Sequence, residues 1–442
     1  MEKKPNHELS EQRCPVGLDD VDLFAPGAQE HWYEAYEILH EQAPVLKIPG
    51  EGLGDGSDGF ILTKYEDIAR VVRDPVRFPP TLSLAIDQMV ASGVPAEEMP
   101  QTNAMMASMM TLRPTIELWR SHRKELTDPW VGPGSNRHTE MITEAVDGLI
   151  DNWIDRGSVD FIKEFARPLP QIVMAKMLGF PLADLAKLES WGTAQVTAFV
   201  YGKGHRNELT EEETAQQYKL LDGFKEYVAD KVEEKRREPA DDMISYLTQV
   251  TYGALDRKLT DLEINGVVYA MLIGGLETTQ YALDQQAQLL CEDPELFREL
   301  KADPKNIRQF IEEAMRIRSP TQGLSTRTTS QEEVFQGVTV PAGSLLHMRW
   351  AAGNVDADEF ECPHELQLKR KAASRHLAFS AGPRVCPGAG ISRLEQTIAW
   401  QRLLQRLDDL SYAPGNKFMH QPGIMLGTLE LQLNFSASDN QS

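Results

Sequence analysis

Hydrophobic residues recur every three to four positions through the middle of this chain and every two positions near its ends. The helical spacing dominates residues 135–318, and Tyr65–Arg73 has the pattern of a short amphipathic helix. Residues Gly59–Leu62 are strand-like, alternation at period two predicts a strand at residues 429–435, and residues 338–343 have the pattern of a hairpin segment. The sequence therefore predicts a mainly α-helical protein with small β-sheets at both ends, in the α+β class.

Composition and charge exclude several classes of protein. Of the 442 residues, 41% are hydrophobic and 25% are charged, which is typical of a globular protein. No linker or repeat divides the sequence, so we expect one domain over residues 1–442, with loose termini at residues 1–20 and 437–442. The formal net charge of −22 disfavours binding to nucleic acid or to an anionic membrane surface.

Neither a membrane anchor nor a disulfide scaffold is expected. The first residues contain no apolar core of a signal sequence, and the longest nearly apolar run, residues 267–276, has about half the length that a bilayer crossing needs. The few cysteines are widely scattered, which predicts a reducing cytoplasm as the location. Cys362 and His364 together offer only two metal ligands, so no zinc site is expected there.

The segment of residues 379–388, FSAGPRVCPG, carries the strongest chemical signal. An apolar stripe after it predicts a helix that begins next to Cys386, and a helix N-terminus lowers the pKa of a thiol. Gly382 and Gly388 permit tight turns in which peptide N–H groups point at the sulfur. Arg384 offers a planar fork of donors for a carboxylate. Taken alone, Cys386 has an equally good interpretation as a small buried core residue.

This segment resembles the cysteine loop of the cytochrome P450 family, in which Phe, Gly, Arg or His, Cys and Gly occupy fixed places. All five places are matched, by Phe379, Gly382, Arg384, Cys386 and Gly388. Ser380 stands where glycine is common, and Pro387 has no N–H to offer to the sulfur. The resemblance implies heme b as the cofactor, Cys386 as the axial iron ligand and O2 as co-substrate. It further implies that Phe379 shields the sulfur, and that Arg384 and His376 contact the heme propionates.

A second match is the pair Glu313 and Arg316, which lie on one face of a predicted helix. Such pairs are usually exposed and contribute little to stability. In the family this pair is a buried structural clamp, completed by an arginine of the following meander, and Arg370 stands at that position. The meander itself matches in part, at Asn354, Asp356, Phe360 and Pro363. We assign Glu313, Arg316 and Arg370 to folding rather than to catalysis.

A long apolar helix is predicted to begin at a capping box formed by Thr260 and Glu263 and to continue past Thr278. Its glycine pair costs about 1 kcal/mol per residue relative to alanine, which close approach of a flat ligand would explain. A core helix with a tolerated glycine pair is the alternative. We expect Thr278 to bond to the carbonyl of Gly274 one turn back and to open the helix. By resemblance, Gly274 lies against the heme, and Glu277 and Thr278 are the catalytic acid–alcohol pair that delivers protons.

A third match is the basic segment that contains Trp119 and Arg123 at positions i and i+4. In related enzymes this helix reaches one heme propionate, and Arg327 stands where the other propionate is bound. A basic, solvated helix face is the alternative interpretation.

Taken together, the resemblance implies a heme-dependent monooxygenase with the heme between the central helix and the cysteine-loop helix. A heme-thiolate peroxygenase or isomerase is one alternative, although such enzymes normally lack the acid–alcohol pair. A non-catalytic heme sensor is another. A hydrolase using Cys386 and His376 is a distant one, because no third orienting group is evident.

The substrate is expected to be a mid-sized lipophilic molecule such as a terpenoid, a steroid or an aromatic compound. The candidate lining residues are apolar, with Gln322 as one polar contact: Met105, Met106, Phe199, Ile273, Leu324, Ile424 and Met425. Methionines pack adaptably, although the methionine stretch has a core interpretation too.

Electrons are expected to come from a separate ferredoxin or flavodoxin, because the sequence contains no dinucleotide fingerprint or flavin module. A local basic patch would dock this acidic partner. Its predicted residues are Arg120, Lys124, Lys369 and Lys371. We otherwise expect a monomer that binds no nucleic acid and no membrane.

Overall fold

The computed structural model describes residues 13–53, 56–81, 84, 91, 93, 112–200, 208–323 and 326–438, without the side chains of Ala198 and Phe199. Its helices are α1 (Trp32–Gln42), α2 (Tyr65–Arg73), α3 (Ile116–His122), α4 (Thr139–Asp151), α5 (Pro168–Leu178), α6 (Leu185–Val200), α7 (Glu211–Arg237), α8 (Met243–Gln249), α9 (Asp261–Gly275), α10 (Glu277–Glu292), α11 (Pro294–Ala302), α12 (Ile307–Ile317), α13 (Trp350–Asn354) and α14 (Ala389–Arg406). Its strands are β1 (Val45–Ile48), β2 (Gly59–Leu62), β3 (Ser158–Asp160), β4 (Thr251–Tyr252), β5 (Arg257–Lys258), β6 (Thr326–Thr328), β7 (Glu333–Phe335), β8 (Val338–Val340), β9 (Leu345–Met348), β10 (Ser411–Tyr412) and β11 (Gln432–Asn434).

The main sheet joins distant parts of the chain in the order β1-β2-β9-β6. Strand β2 pairs in parallel with β9, with Gly59 opposite Leu345, while the two outer pairings are antiparallel. Strands β7 and β8 form a hairpin, which includes only residues 338–340 of the predicted hairpin segment 338–343. The first and the last thirds of the sequence therefore complete one sheet.

The predicted strand at residues 429–435 is too long. Only Gln432–Asn434 belongs to β11, which lies between β10 and β3. Before it, the N–H of Leu429 bonds to the carbonyl of Met419 in a loop, and after it the N–H of Phe435 bonds to the carbonyl of Gly157. These tertiary partners shorten a segment whose alternation alone favours a longer strand.

Most of the apolar core lies among the helices. The largest buried cluster includes side chains of α4, α5, α7, α9, α10, α12 and α14. A smaller cluster packs α2 against the main sheet, through residues such as Ile68, Leu62 and Met348. Among the described residues, no helix combines the length and the apolar character that crossing a bilayer requires.

The central helix is interrupted after Gly275, where the sequence predicts a local opening of one long helix. The capping box is present at its start, where the N–H of Glu263 donates to Thr260 Oγ1 at 3.2 Å and the N–H of Thr260 donates to Glu263 Oε2 at 2.7 Å. Helix α9 ends at Gly275 and α10 begins after Leu276. At this break, Thr278 Oγ1 donates to the carbonyl of Gly274 at 2.9 Å, which is the hydrogen bond expected from the sequence.

Candidate active site

Cys386 lies three residues before the start of α14, in a loop that its own backbone closes. The N–H of Cys386 donates to the carbonyl of Phe379 at 2.9 Å. The following helix packs closely on the chain around Gly132, because a Cβ added at Gly390 would lie 2.3 Å from the Gly132 carbonyl oxygen. The loop and the helix therefore fix the sulfur between them.

Donors and cations converge on the buried sulfur of Cys386, although burial keeps the pKa of the thiol above its ordinary value. Burial raises the pKa of the thiol, but the peptide N–H groups of Gly388 and Ala389 lower it, as do the charges of Arg123 and Arg393. A thiol with converging donors and cations is suited to bind a metal as a thiolate. Cys386 and the groups around its sulfur therefore fit a ferric heme iron.

The two glycines of the cysteine loop differ in backbone conformation. Gly382 has φ of +73°, and a Cβ there would lie 2.8 Å from the Cα of Arg73, so glycine is required. Gly388 has φ of −80°, and its Cβ would come no closer than 3.9 Å to the sulfur of Cys386. Gly388 nevertheless lies in the turn that leads into α14, and its N–H is one of those that face the sulfur, as the sequence predicts, although its φ does not require glycine. Ser380 has φ of +59°, a left-handed conformation in which glycine is more favourable.

A cluster of guanidinium groups surrounds Trp119. The guanidinium carbon of Arg113 lies 3.9 Å from the centre of the indole, and that of Arg384 lies 4.4 Å from it. Arg123 donates to the carbonyl of Val385 at 2.7 Å, which links the cluster to the cysteine loop. Arg123 follows α3 directly and begins a wider helical turn, so it does not continue the regular α-helix of Trp119.

The donors of this guanidinium cluster (Arg113, Trp119, Arg123, Arg327 and Arg384) suit an anion. Burial, and then repulsion from Arg384 and Arg123, lowers the pKa of Arg113 to about 9. Burial, and then Arg384, lowers the pKa of Arg327 to about 10. Trp119 Nε1 and Arg327 Nε are buried and have no hydrogen-bond partner within the described part of the chain. Carboxylates such as the two propionates of heme would satisfy these donors and relieve the repulsion.

Arg113 was not found by sequence reasoning. It stands outside the Trp119–Arg123 spacing and has no periodic relation to it, so its only signal is the stacking on Trp119 in the folded chain.

His376 does not join the guanidinium cluster, which corrects its predicted contact with a propionate. Its Nε2 lies 3.1 Å from Glu312 Oε2, and its Nδ1 accepts the N–H of Ala378 at 3.2 Å. Both ring nitrogens are thus already used, and the side chain is buried.

The residues predicted as an acid–alcohol pair lie at the break between α9 and α10. Glu277 Oε2 accepts a hydrogen bond from Tyr281 at 3.1 Å, and Tyr281 in turn accepts one from Gln421. One residue after Thr278, the hydroxyls of Thr279 and Ser392 lie 3.0 Å apart and tie α10 to the cysteine-loop helix α14. The break is therefore held next to that helix.

The presence of glycine at the two positions of the break has two different explanations. A Cβ at Gly275 would lie 2.5 Å from the sulfur of Met174, so packing against α5 requires glycine there. A Cβ at Gly274 would meet no atom within 4 Å, and this residue is exposed beside Thr278. Gly274 thus offers a flat helix surface on which a planar ligand fits.

Three predicted pocket residues come together, while others lie outside the described residues. Ile273, Ile424 and Met425 share one apolar cluster with Val196, Val200 and Tyr281. Beside it lies a cavity of about 780 Å³ whose lining includes Ile273 and Val196 but also Glu277, Gln280 and Gln421. Met105, Met106, Leu324 and the side chain of Phe199 are not among the described residues.

Gln322 is not available as a polar substrate contact. Its Oε1 accepts from the hydroxyl of Tyr36 at 2.8 Å, and its Nε2 donates to the carbonyl of Ser319 at 2.8 Å. The side chain is completely buried, so it holds α1 to the segment after α12 instead.

The residues of the predicted clamp form a buried triad. Arg316 Nε lies 2.8 Å from Glu313 Oε1, and Arg370 Nε lies 2.8 Å from Glu313 Oε2. Arg316 also donates to the carbonyl of Asn354 at 3.0 Å. Each oxygen of the carboxylate therefore has a cation, and the triad joins α12 to the meander.

The chain belongs to the cytochrome P450 family. The model of that family, described as "Cytochrome P450", matches residues 100–435, which are most of the sequence. The protein is therefore a cytochrome P450 monooxygenase of the bacterial type, an enzyme that uses heme b and O2.

Its relatives have diverse names. "Polyketide biosynthesis cytochrome P450 PksS" of Bacillus subtilis (strain 168) is 26% identical over 394 residues, covering 88% of this chain and 93% of that protein. "Vitamin D(3) 25-hydroxylase" of Pseudonocardia autotrophica is 29% identical over 400 residues, covering 90% and 92%. The solved structure of P450BioI with a hexadec-9Z-enoic acid-ligated acyl carrier protein has a TM-score of 0.78 at 24% identity, covering 92% of this chain and 99% of that one.

Proposed function

We propose that Cys386 is the axial ligand of the heme iron and that the guanidinium cluster holds the heme propionates. The observation that carries this proposal is the position of Cys386, with converging N–H groups and the charge of Arg123, beside unpartnered buried donors of Trp119 and Arg327. Heme bound in this way supplies an iron that binds and activates O2 with electrons delivered from outside. The chain itself orients the substrate and moves protons.

Proton delivery is assigned to Glu277 and Thr278. The Thr278 hydroxyl donates to the Gly274 carbonyl. Its oxygen therefore keeps a lone pair that can accept a hydrogen bond from a proton donor on the exposed side of the break. Glu277 lies at the cavity lining and is hydrogen bonded to Tyr281, so its carboxylate is oriented toward a polar region from which protons can be replenished. Replacement of Thr278 by alanine should leave substrate binding intact and divert electrons to peroxide, measured as peroxide formed per electron pair.

We further propose that one atom of O2 is inserted into a C–H bond of a mid-sized lipophilic substrate such as a terpenoid, a steroid or an aromatic compound. The support is the apolar cluster of Ile273, Ile424 and Met425, next to a cavity whose volume suits a small molecule. Two relatives are named a vitamin D(3) 25-hydroxylase and a steroid C26-monooxygenase, which are activities on lipophilic compounds. Gln280 and Gln421 add a polar part to the wall, so a substrate with a hydroxyl or carbonyl group is favoured over a pure hydrocarbon.

A labelled-oxygen experiment tests this substrate assignment. The holoenzyme is given electrons from a ferredoxin system and a panel of steroids, terpenoids and aromatics under 18O2, with glycosylated compounds of similar size as polar controls. The expected product carries one labelled oxygen atom and forms only from lipophilic compounds. Turnover restricted to the polar controls would contradict the assignment, and binding without any electron consumption would favour a heme sensor.

Electron transfer is proposed to use an acidic ferredoxin or flavodoxin that docks on the basic patch. Arg120, Lys124, Lys369 and Lys371 are all exposed, although the whole chain has a net charge of −22. Lys369 and Lys371 flank the clamp residue Arg370 in the meander, and Arg120 and Lys124 flank Arg123, which is hydrogen bonded to the cysteine loop. Complementary charge chiefly raises the rate of association.

The docking proposal is tested with Lys369→Glu combined with Arg120→Glu. We expect the rate of reduction by the partner to fall at least tenfold at low salt and the difference to shrink at high salt. A charge-matched control is Arg237→Glu with Lys219→Glu, because both residues are exposed on α7, which packs against α6, α8 and α9. Equal rates for the two double variants would refute the patch.

A further inference from the structure

Glu312 is the neighbour of the clamp residue Glu313, but it belongs to a separate buried network. Arg393 Nε donates to Glu312 Oε1 at 2.5 Å, and Arg393 Nη2 donates to Glu312 Oε2 at 2.9 Å. His376 Nε2 lies 3.1 Å from the same Oε2. The carboxylate thus joins α12, the cysteine-loop helix α14 and the segment that leads into the cysteine loop.

This network touches Phe379, the residue that is hydrogen bonded to the cysteine. The guanidinium carbon of Arg393 lies 4.4 Å from the centre of the Phe379 ring, and the His376 ring lies 6.0 Å from it. The carbonyl of Phe379 accepts the N–H of Cys386. Arg393 thus brings a full positive charge against the ring of the residue that closes the cysteine loop. Its position therefore affects the loop both by packing and by charge.

Glu312 and Arg393 are a compensating charge pair. Burial alone would favour a neutral carboxyl, but hydrogen bonds from His376 and Arg393 outweigh it and hold the pKa of Glu312 at about 2. The carboxylate is therefore charged, and it offsets most of the positive potential that Arg393 would otherwise produce behind Phe379. Removing one member of the pair leaves the charge of the other uncompensated.

We propose that Glu312, Arg393 and His376 are positioning residues that set the electrostatic potential at Cys386 and thereby the reduction potential of the bound heme. The inference rests on the proposed role of Cys386 as the iron ligand. Reduction adds one electron to the ferric iron, no bond is formed or broken, and the charge of the site becomes one unit more negative. A more positive surrounding therefore favours reduction, and a more negative surrounding opposes it.

Opposite shifts for the two members of the pair are the signature of this role. Glu312→Gln keeps the shape of the side chain and removes its charge, so the reduction potential should rise. Arg393→Gln removes the positive charge, so the potential should fall. We expect each shift to correspond to about a tenfold change in the equilibrium constant of reduction, about 59 mV for one electron. The double variant should return close to the wild-type value, and Arg393→Lys, which keeps the charge, should stay near it.

The experiment is a mediated redox titration of the holoenzyme and its variants, after the ferrous–carbon monoxide spectrum of each has been recorded. Arg402→Gln is the control, because Arg402 also lies on α14 and its Nε pairs with Asp147 Oδ1 at 2.6 Å, away from Phe379. Its potential should not change. Shifts of both single variants in the same direction, or no shift, would overturn the proposal, and so would loss of the thiolate spectrum in Glu312→Gln. If the wild type itself has no thiolate spectrum, the proposed function fails instead.

Discussion

Two groups of arginines in this protein, the clamp and the guanidinium cluster, differ in what surrounds them. In the clamp, Arg316 and Arg370 flank the carboxylate of Glu313, and all three side chains are nearly inaccessible. In the guanidinium cluster, Arg113 and Arg384 lie over Trp119, and burial together with the charge of Arg384 lowers the pKa of Arg113. There, Trp119 Nε1 and Arg327 Nε are buried without a partner in the described ranges.

This difference separates a folding role from a binding role. A buried ion pair whose donors are all hydrogen bonded contributes to the stability of the fold and has no donor left for a ligand. Buried donors of like charge without partners destabilise the fold, and a bound anion removes this destabilisation. The clamp should therefore stabilise the fold equally with and without heme. The guanidinium cluster should matter only when heme is bound.

Breaking the clamp is expected to have the largest effect. Arg316→Gln leaves Glu313 buried with half of its partners, so the free energy of unfolding should fall by about 3–5 kcal/mol in the apoprotein and the holoprotein alike. Urea denaturation followed by circular dichroism measures this change. The control is Arg298→Gln, because Glu295 and Arg298 form a pair of the same spacing on the surface, and this variant should unfold like the wild type. A loss seen only in the holoprotein would assign the clamp to the heme site instead.

Breaking the guanidinium cluster should lower the affinity for heme and leave the stability of the apoprotein intact. Arg327→Gln removes a buried cation repelled by Arg384, so the apoprotein should be as stable as the wild type or more stable. Heme affinity should fall by about tenfold or more, since a hydrogen bond to a charged group contributes about 1.5–3 kcal/mol. Heme titration by absorbance and thermal unfolding of the apoprotein measure the two quantities. An apoprotein that loses stability while its heme affinity is unchanged would contradict the binding role.

The Glu312 network adds a pH dependence that sharpens the comparison. Burial opposes ionisation, but hydrogen bonds from His376 and Arg393 lower the pKa of Glu312 from 4.5 to about 2. Because the pKa is lower in the folded state, the stabilisation is present above pH 4.5 and is lost as the pH falls from there toward 2. It amounts to about 3 kcal/mol at neutral pH.

Wild type and Glu312→Gln should therefore differ most in unfolding free energy at pH 7, and the difference should narrow from pH 5 to pH 3. Urea denaturation at several pH values measures this difference. The control is Asp147→Asn on α4, which removes the carboxylate that pairs with Arg402 of α14. A difference in unfolding free energy that stays constant from pH 5 to pH 3 would show that the ionised carboxylate of Glu312 is not the source of the stabilisation.

The smallest effect is expected in the backbone of the cysteine loop. Ser380 has φ of +59°, so Ser380→Gly should stabilise the holoprotein by about 0.5–1 kcal/mol. Gly382→Ala is the opposing control, because φ is +73° there and the new Cβ would lie 2.8 Å from the Cα of Arg73. Thermal unfolding should rank Ser380→Gly above the wild type and Gly382→Ala below it, and the reverse order would exclude backbone strain as the cause.

Local patterns in the sequence were sufficient for much of this structure. The helix Tyr65–Arg73, the strand Gly59–Leu62 and the capping box at Thr260 depend on neighbours within a few residues, and the structure contains all three. The cysteine loop was also found from its own sequence, because its chemistry is concentrated in ten residues. Glu313 and Arg316 lie one helical turn apart, so their pairing was predictable.

Long-range pairing accounts for what the sequence did not reveal. Glu312 and Arg393 have the appearance of surface residues on two amphipathic helices, and only the fold brings them together across 81 positions. The predicted role of His376 was wrong for the same reason, since its partner Glu312 is 64 residues away. The reason for glycine at position 275 is the contact with Met174 of α5, which helical periodicity does not report.

The central claim is that Cys386 binds the heme iron as a thiolate, and the ferrous–carbon monoxide spectrum tests it most directly. The purified protein is reduced with dithionite, exposed to carbon monoxide and compared with Cys386→His. We expect a strongly red-shifted Soret band in the wild type and an unshifted band in the variant, because only the thiolate donates the required electron density. An unshifted Soret band in the wild type, or no heme band at all, would contradict the account.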